Sequence, residues 1–463
     1  MPILRYPIQF IIVCIGVCAF GITGCTPRLP VVFGNPQTEI QLAHTPTAFP
    51  FTPTVPAPTP TVVAIPTPTS SPFPATPTVA IATATPLVST PTLLSLEDRQ
   101  QLFDEVWSIV YERYLYANFR GVDWYGVRSE FAPQIALTAS NEEFYALLST
   151  MVQRLGDQHS RFLAPGAVED ENVLTSGVKF NVGIGVVSLP TSHGVLIRQI
   201  FPHSPAAQAD LRPRDRIVAV DGVTTNVNNI IAGPEGTQVR LSVIRPGEDV
   251  REVVLTRQPV EGRITPVAQR LDGDIGYLAV NTLWVHDMHE QVSGALTDLI
   301  VERPLRGLIL DLRSNPGGWR TVLSGVLSHF VRGEVGAFFD QDQVMPFLIE
   351  PGSGPDLHGL PIAVLVDRGT ASYAELLAAI LQAEANAVVI GLPLNGNVET
   401  IYAYDLAGGA RLWVAQEGFL LRNGVNLEGR GVQPDMLIDQ DWTRYSQETD
   451  PHIVAALRYL NGY

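Results

Sequence analysis

Between about His44 and Pro91 the chain cannot build a core. The run TPTVPAPTPTVVAIPTPTSSPFPATPTV alternates proline with threonine and small residues. Each proline fixes φ and removes an amide donor, so neither a helix interior nor a central strand survives here. Polyproline II is the conformation left, and without apolar periodicity nothing drives collapse. The stretch therefore divides the 463 residues into a short N-terminal segment and a long body, and the folded domains must come from the body. At roughly 3.1 Å per residue such a spacer reaches on the order of 100 Å.

Ahead of the spacer, Arg5 precedes the apolar run IQFIIVCIGVCAF, Ile8 to Phe20. It is too short for a comfortable membrane span and has the anatomy of a secretory signal. ITGC, Ile22 to Cys25, then places small residues before a cysteine and resembles a bacterial lipobox. The resemblance implies cleavage before Cys25 and lipid on that residue. Residues 1–25 are expected to be a lipoprotein signal peptide and 26–94 a tether that holds the body outside the cytoplasm, anchored to the bacterial cell membrane. An uncleaved anchor or a plain secretory signal is the alternative. The three cysteines, Cys14, Cys18 and Cys25, all lie in this segment. The body thus has no disulfide, no cysteine-based zinc site and no cysteine nucleophile. A net charge of −16 without a Lys/Arg cluster excludes a nucleic-acid surface.

The body reads as three pieces. In SLEDRQQLFDEVWSIVYERYL, Ser95 is the expected N-cap, with Asp98 three residues on and apolar residues at helical spacing behind it. SNEEFYALLSTMVQRL repeats the pattern with Ser140 and Glu143. Residues 95–165 are expected to form a small helical domain, ending in LGDQHSRFLAP. From 174 to 260 short strands alternate with turn signals, among them Asp221-Gly222 and Gly236-Thr237. From 261 to 440 the apolar runs IGYLAV, GLILDL, PIAVLV and AVVIG alternate with helical segments, which argues for an α/β core. DPHIVAALRYL, with Asp450 as cap and Pro451 in the first turn, supplies a last helix within 441–463.

Two motifs in the third piece carry chemistry. GTASYAELLAAIL follows the apolar run Ile362–Val366 and sets Ser372 at the start of a helix. Free amides and the positive dipole end there favour an oxyanion; a plain N-cap serine is the alternative. DLRSNPGGW places Gly317 and Gly318 directly after another buried strand, where their amides can approach a carbonyl oxygen.

SPAA (Ser204–Ala207), DRI (Asp215–Ile217), Asp221-Gly222 and Gly236-Thr237 resemble a PDZ domain. That resemblance implies a partly open β-barrel with helices, whose loop near Val182, Gly183, Ile184 and Gly185 holds a peptide's terminal carboxylate. With Ser372 and NPGG, the order of the three pieces resembles the C-terminal processing peptidases, a serine protease family with a multi-domain α+β architecture. The resemblance implies Ser372 as nucleophile and the amide of Gly317 or Gly318, with an amide next to Ser372, as oxyanion donors. It implies unfolded or C-terminal protein and peptide substrates, with no cofactor and no metal.

One position departs from that family. Where the typical member has its general-base lysine, 25 residues beyond the serine, this chain has Asn397. An amide cannot take a proton near neutral pH, and the chain's single lysine is Lys179. The site partly resembles the tricorn core protease instead. LGDQHS puts His159, and NLEGRGVQPD puts Glu428, where that enzyme has a catalytic histidine and glutamate. The resemblance implies a Ser372–His159–Glu428 triad in place of the dyad. The alternatives are a structural His159, a site role for Glu375 one turn after Ser372, and a catalytically inactive lipoprotein that binds peptides through its PDZ domain.

Overall fold

The computed structural model describes residues 93–224 and 231–462. The expected signal peptide, the expected lipidation site Cys25 and the expected tether up to residue 92 lie outside the described residues. The helical starts read at Ser95, Ser140 and Asp450 have their physical basis in a cap. The Ser95 hydroxyl accepts the Asp98 amide and the Asp98 carboxylate answers the Ser95 amide, opening α1 (Leu96–Arg113). Asp123 caps α2 (Trp124–Phe131) and Ser140 caps α3 (Asn141–Gln153). The three helices close no core alone. Phe103, Val106, Val110, Phe144 and Leu148 pack against Leu412, Val414 and Ala415, far away in the chain.

A short strand, β1 (Arg161–Leu163), and α4 (Pro165–Thr175) lead into the second piece. There β2 (Val178–Gly183) pairs with β9 (Gln258–Arg263) as a separate ribbon. Beside it a sheet runs β3 (Val186–Thr191), β4 (Gly194–Ile200), β5 (Arg216–Val220), β7 (Gln238–Ile244), β8 (Arg251–Thr256), with β6 (Val223–Thr224) on β5. Asp221 and Gly222 both take positive φ, 49° and 81°, which lets the β5–β6 hairpin turn in two residues. Ser204 caps the one-turn α5 (Pro205–Gln208).

The third piece holds two sheets. The first runs β10 (Val267–Leu271), β11 (Ile275–Ala279), β12 (Gly307–Asp311), β15 (Ile362–Val366), β16 (Val388–Gly391), β19 (Met436–Leu437), parallel except for β10. Every residue of β11, β12 and β15 is buried, as expected of a parallel sheet covered on both faces. Leu278, Leu308, Leu310 and Val364 face α6 (Met288–Ile300), α7 (Arg320–Leu327) and α8 (Tyr373–Glu384). Ile275, Tyr277, Ile309 and Leu365 face α9 (Pro451–Leu460). The second sheet is not foreshadowed by the sequence reading. It orders β1, β18 (Arg411–Leu421), β13 (Gly333–Phe339) and β14 (Val344–Ile349), with β17 (Thr400–Asp405) on β18. Through the β1–β18 pairing it ties the helical piece to the core.

One ion cluster joins the PDZ-like piece to the core. Arg313 is fully buried and donates to Asp311 and, at 2.8 Å, to Asp450 Oδ2. Arg214, from the turn before β5, donates to the same Oδ2 at 3.0 Å. Arg198, Arg214 and Arg313 all lie over the Trp442 ring. Asp450 also accepts the His452 amide and so caps α9. Burial pushes the Asp311 carboxyl up, but the Arg313 guanidinium pulls harder and holds it far below the usual carboxylate range. Asp450→Ala leaves two guanidiniums short of a partner, and the chain should lose about 3–5 kcal/mol in a denaturant titration. The stabilisation from Asp311 is present above about pH 4 and is lost as the pH falls below that value. Denaturation midpoints should therefore drop in acid, and Asp311→Asn should remove part of that slope.

Candidate active site

Ser372 sits on an elbow between β15 and α8. The preceding turn is sewn to the DLRSNPGG turn on all sides. Asp367 Oδ1 accepts the Ser314 and Gly369 amides, Thr370 Oγ1 donates to the Leu312 carbonyl, and the Ala371 amide donates to the Asn315 carbonyl. Ser372 is left with φ 53° and ψ −132°, a conformation that costs a non-glycine residue on the order of 1–3 kcal/mol. Its amide is held by the Asn397 carbonyl at 2.6 Å. Ser372 occupies the N-cap position of α8, but its hydroxyl makes no capping hydrogen bond. Among the described residues that hydroxyl makes no hydrogen bond.

Gly317 and Gly318 lie against this elbow. A Cβ on Gly317, whose φ is +89°, would stand 2.7 Å from Ser372 Cβ and 2.9 Å from the Tyr373 nitrogen. The two glycines differ in what their amides do. Gly317 N–H donates to Asn315 Oδ1 at 2.9 Å, so it is spent inside the turn. Gly318 N–H and Tyr373 N–H have no acceptor among the described residues. Asn315, fully buried, also donates to the Val280 carbonyl, while the Leu283 amide donates to the Gly317 carbonyl. The turn is thereby clamped with Gly318 beside the serine. An oxyanion hole built on Gly318 and Tyr373 fits this geometry, and Gly317 contributes close approach rather than a donor.

The structure brings His159 to Glu428. Asp157 Oδ1 accepts the His159 and Ser160 amides and fixes the GDQHS turn, and the Ser160 hydroxyl takes the Ala415 amide. The His159 ring is buried, with Nε2 3.6 Å from Glu428 Oε2. A third group, absent from the sequence reading, completes the cluster. Glu399 Oε2 lies 3.8 Å from the same Nε2. The Glu399 carboxylate is fully buried; it accepts the Tyr116 hydroxyl and lies 3.8 Å from Arg120. Burial pushes its carboxyl above the usual range, with Glu428 adding to the effect, while Tyr116 and His159 oppose it. No motif marks Glu399; the available signal is its place two residues after Asn397.

Ser372 and His159 are not hydrogen-bonded, and they line separate clefts. The Asn395–Asn397 turn touches both. Its backbone holds the Ser372 amide, and the Asn397 side chain reaches Gln158 Oε1 at 3.3 Å. Glu375 contacts the site as a brace. Its buried carboxylate accepts the Gly396, Asn397 and Val432 amides. The cleft on the Ser372 side, about 310 Å³, is walled by Trp284, Trp319, Trp413 and Tyr402. Trp284 meets Trp319 edge-on at 5.0 Å. Arg320 closes one side, bonded to Glu417 and to the Tyr373 hydroxyl.

In the PDZ-like piece, Val182 and Gly183 end β2 opposite Pro259 and Gln258. Ile184 is buried and its carbonyl takes the Ala206 amide, and the Gly185 carbonyl takes the Phe201 amide. Gly185 has φ +81°, and a Cβ there would strike Ser204. The loop is thus packed onto the SPAA turn and leads straight into β3, the end strand of its sheet.

Comparison with known proteins agrees with this architecture. Residues 274–438 match peptidase family S41, 95–153 the tricorn protease C1 domain and 196–245 a PDZ domain. A carboxyl-terminal-processing protease of Synechocystis is 27% identical over 399 residues, covering 81% of this chain and 90% of that protein. A carboxy-terminal-processing protease of Bartonella bacilliformis is 30% identical over 301 residues, 61% of this chain and 67% of that one. Among solved structures, the photosystem II D1 C-terminal processing protease shares the fold with a TM-score of 0.51 at 24% identity, covering 77% of this chain and 96% of its own. A lipoprotein from Streptococcus agalactiae does so with 0.51 at 16%, covering 81% and 99%. The chain belongs to the carboxyl-terminal-processing family of serine peptidases, family S41, and carries that family's PDZ domain.

Proposed function

We propose that this protein is a membrane-tethered, extracytoplasmic serine endopeptidase that cleaves unfolded or C-terminal segments of proteins through an acyl-enzyme on Ser372. The observation that carries the reading is the elbow. A strained serine with an uncommitted hydroxyl stands beside two uncommitted amides, Gly318 and Tyr373, and this is the arrangement that nucleophilic attack on a peptide carbonyl needs. A helix cap or packing residue would use its hydroxyl and would not hold a positive φ. The tryptophan-walled cleft beside Ser372 supports an apolar substrate side chain there. The PDZ domain captures the extended peptide, with the Ile184–Gly185 loop at the head of β3 as the seat of its end. The lipobox-like ITGC and the Pro/Thr spacer support a lipid anchor on Cys25 and a body held away from the bilayer.

His159 is the group that takes the Ser372 proton, with Glu428 steadying the imidazolium. Its support is the 3.6 Å approach of the two side chains and the lack of any lysine at Asn397. Proton transfer requires the two clefts to join. The second reading, a peptide-binding lipoprotein without catalysis, is favoured by the same separation.

Cleavage of an unfolded protein by the wild type, Ser372→Ala and His159→Ala decides between them. The expected result is cutting by the wild type alone. Cutting that survives in His159→Ala moves the base elsewhere, and no cutting by the wild type at any pH tried leaves the PDZ domain as the functional site. Gly317→Ala should still bind peptide through the PDZ domain, but its methyl group would stand 2.7 Å from Ser372 Cβ, and kcat should fall about 10²-fold, the scale of a misplaced reacting group.

A further inference from the structure

The His159 cluster contains more than a triad needs. His159 Nε2 and Glu399 Oε2 are both buried without a hydrogen-bond partner, and Nε2 faces both Glu399 Oε2 and Glu428 Oε2. The three atoms lie within 4.8 Å of one another. The separations from Nε2 are 3.6 and 3.8 Å. These are too long for hydrogen bonds. They are shorter than the roughly 4.2 Å spanned by a cation with two bonds of about 2.1 Å. We propose that His159, Glu399 and Glu428 bind a divalent transition cation of the zinc class, which occupies the imidazole lone pair and holds the peptidase off. The inhibitory half rests on His159 as the base; the binding half does not.

The surroundings are those of an oriented ligand set. Tyr116 and Arg120 lie on the other oxygen of Glu399, and the Val398 amide donates at 3.1 Å to the same Glu428 Oε2 that faces His159. Such outer partners aim carboxylates at a metal. One imidazole with two carboxylates suits zinc and its neighbours rather than magnesium or calcium, which take oxygen alone. Burial raises the cost of ionising Glu399, and a dication would offset it. A cavity of about 140 Å³, lined by Asp157, Gln158, His159, Asn397 and Glu428, gives an entry path. Sequence motifs mark two of the ligands and miss Glu399, so the cluster is visible only in three dimensions.

The test uses the full chain with Ser372→Ala, so that binding is measured independently of cleavage, and with the thiols of Cys14, Cys18 and Cys25 alkylated. Equilibrium dialysis against Zn²⁺ should find one site per chain. Glu399→Gln and, separately, Glu428→Gln should weaken it by at least the 10–100-fold that loss of even an outer partner costs, with melting in chelator confirming that each variant folds. No bound zinc, or binding unchanged in both variants, overturns the site. In the wild type, Zn²⁺ should abolish cutting and chelator restore it. If His159→Ala is dead and yet saturating zinc leaves the wild type active, the inhibitory role is wrong. If His159→Ala still cuts, the base assignment fails while the dialysis result stands.

Discussion

The buried carboxylate of Glu375 holds the site together. It lies one turn into α8 and accepts three backbone amides, two from the Gly396–Asn397 turn and one from Val432. Burial raises its pKa, and the three amides oppose that rise. A carboxylate in this setting is costly unless satisfied, and these bonds satisfy it. In return the two turns are fixed to the helix that Ser372 begins. They nest so closely that Gly396 and Gly431 have no room for a side chain: a Cβ would stand 2.2 Å from the Leu427 carbonyl oxygen or 1.9 Å from that of Leu394. From this brace hang the Asn397 carbonyl that holds Ser372, the Val398 amide that aims Glu428, and Glu399.

Backbone strain at Ser372 persists because its neighbourhood over-determines it. The Asp367 carboxylate bonds the serine turn to the glycine turn, and the Trp442 indole bonds to Asp367 in turn. Trp442 is also the ring on which Arg198, Arg214 and Arg313 rest. Asp450 serves an arginine from the PDZ domain and an arginine from the glycine turn with one oxygen. The PDZ domain and the glycine turn therefore share charged partners in the interior, where an unpaired guanidinium is expensive.

Local signals made much of this legible. Ser95, Ser140 and Asp450 announce their helices because a cap is a contact over three residues. The fully buried strands announce themselves as continuous apolar runs. Ser372, NPGG and the PDZ motifs are each contained in a few positions. Other features were not legible because the contacts that define them are distant in the chain. The β1–β18 pairing joins Arg161 to Trp413, and nothing local to either strand specifies the other. Gly317 and Gly318 look alike in sequence; only the Asn315 side chain, folded back onto one amide, separates them. Glu399 acquires its meaning from Tyr116, Arg120 and His159, three residues from the opposite end of the body.

By itself, then, the sequence determined which family the chain belongs to and which serine stands at the start of the central helix, because those properties are written in short-range pattern. It also determined that no lysine can act at Asn397. The tertiary structure alone decided that the serine hydroxyl is uncommitted, that Gly318 and Tyr373 hold the uncommitted amides, and that His159 stands between two carboxylates in a cleft of its own. These are outcomes of hydrogen-bond competition and burial among residues hundreds of positions apart, and such competition is resolved only once the chain has packed.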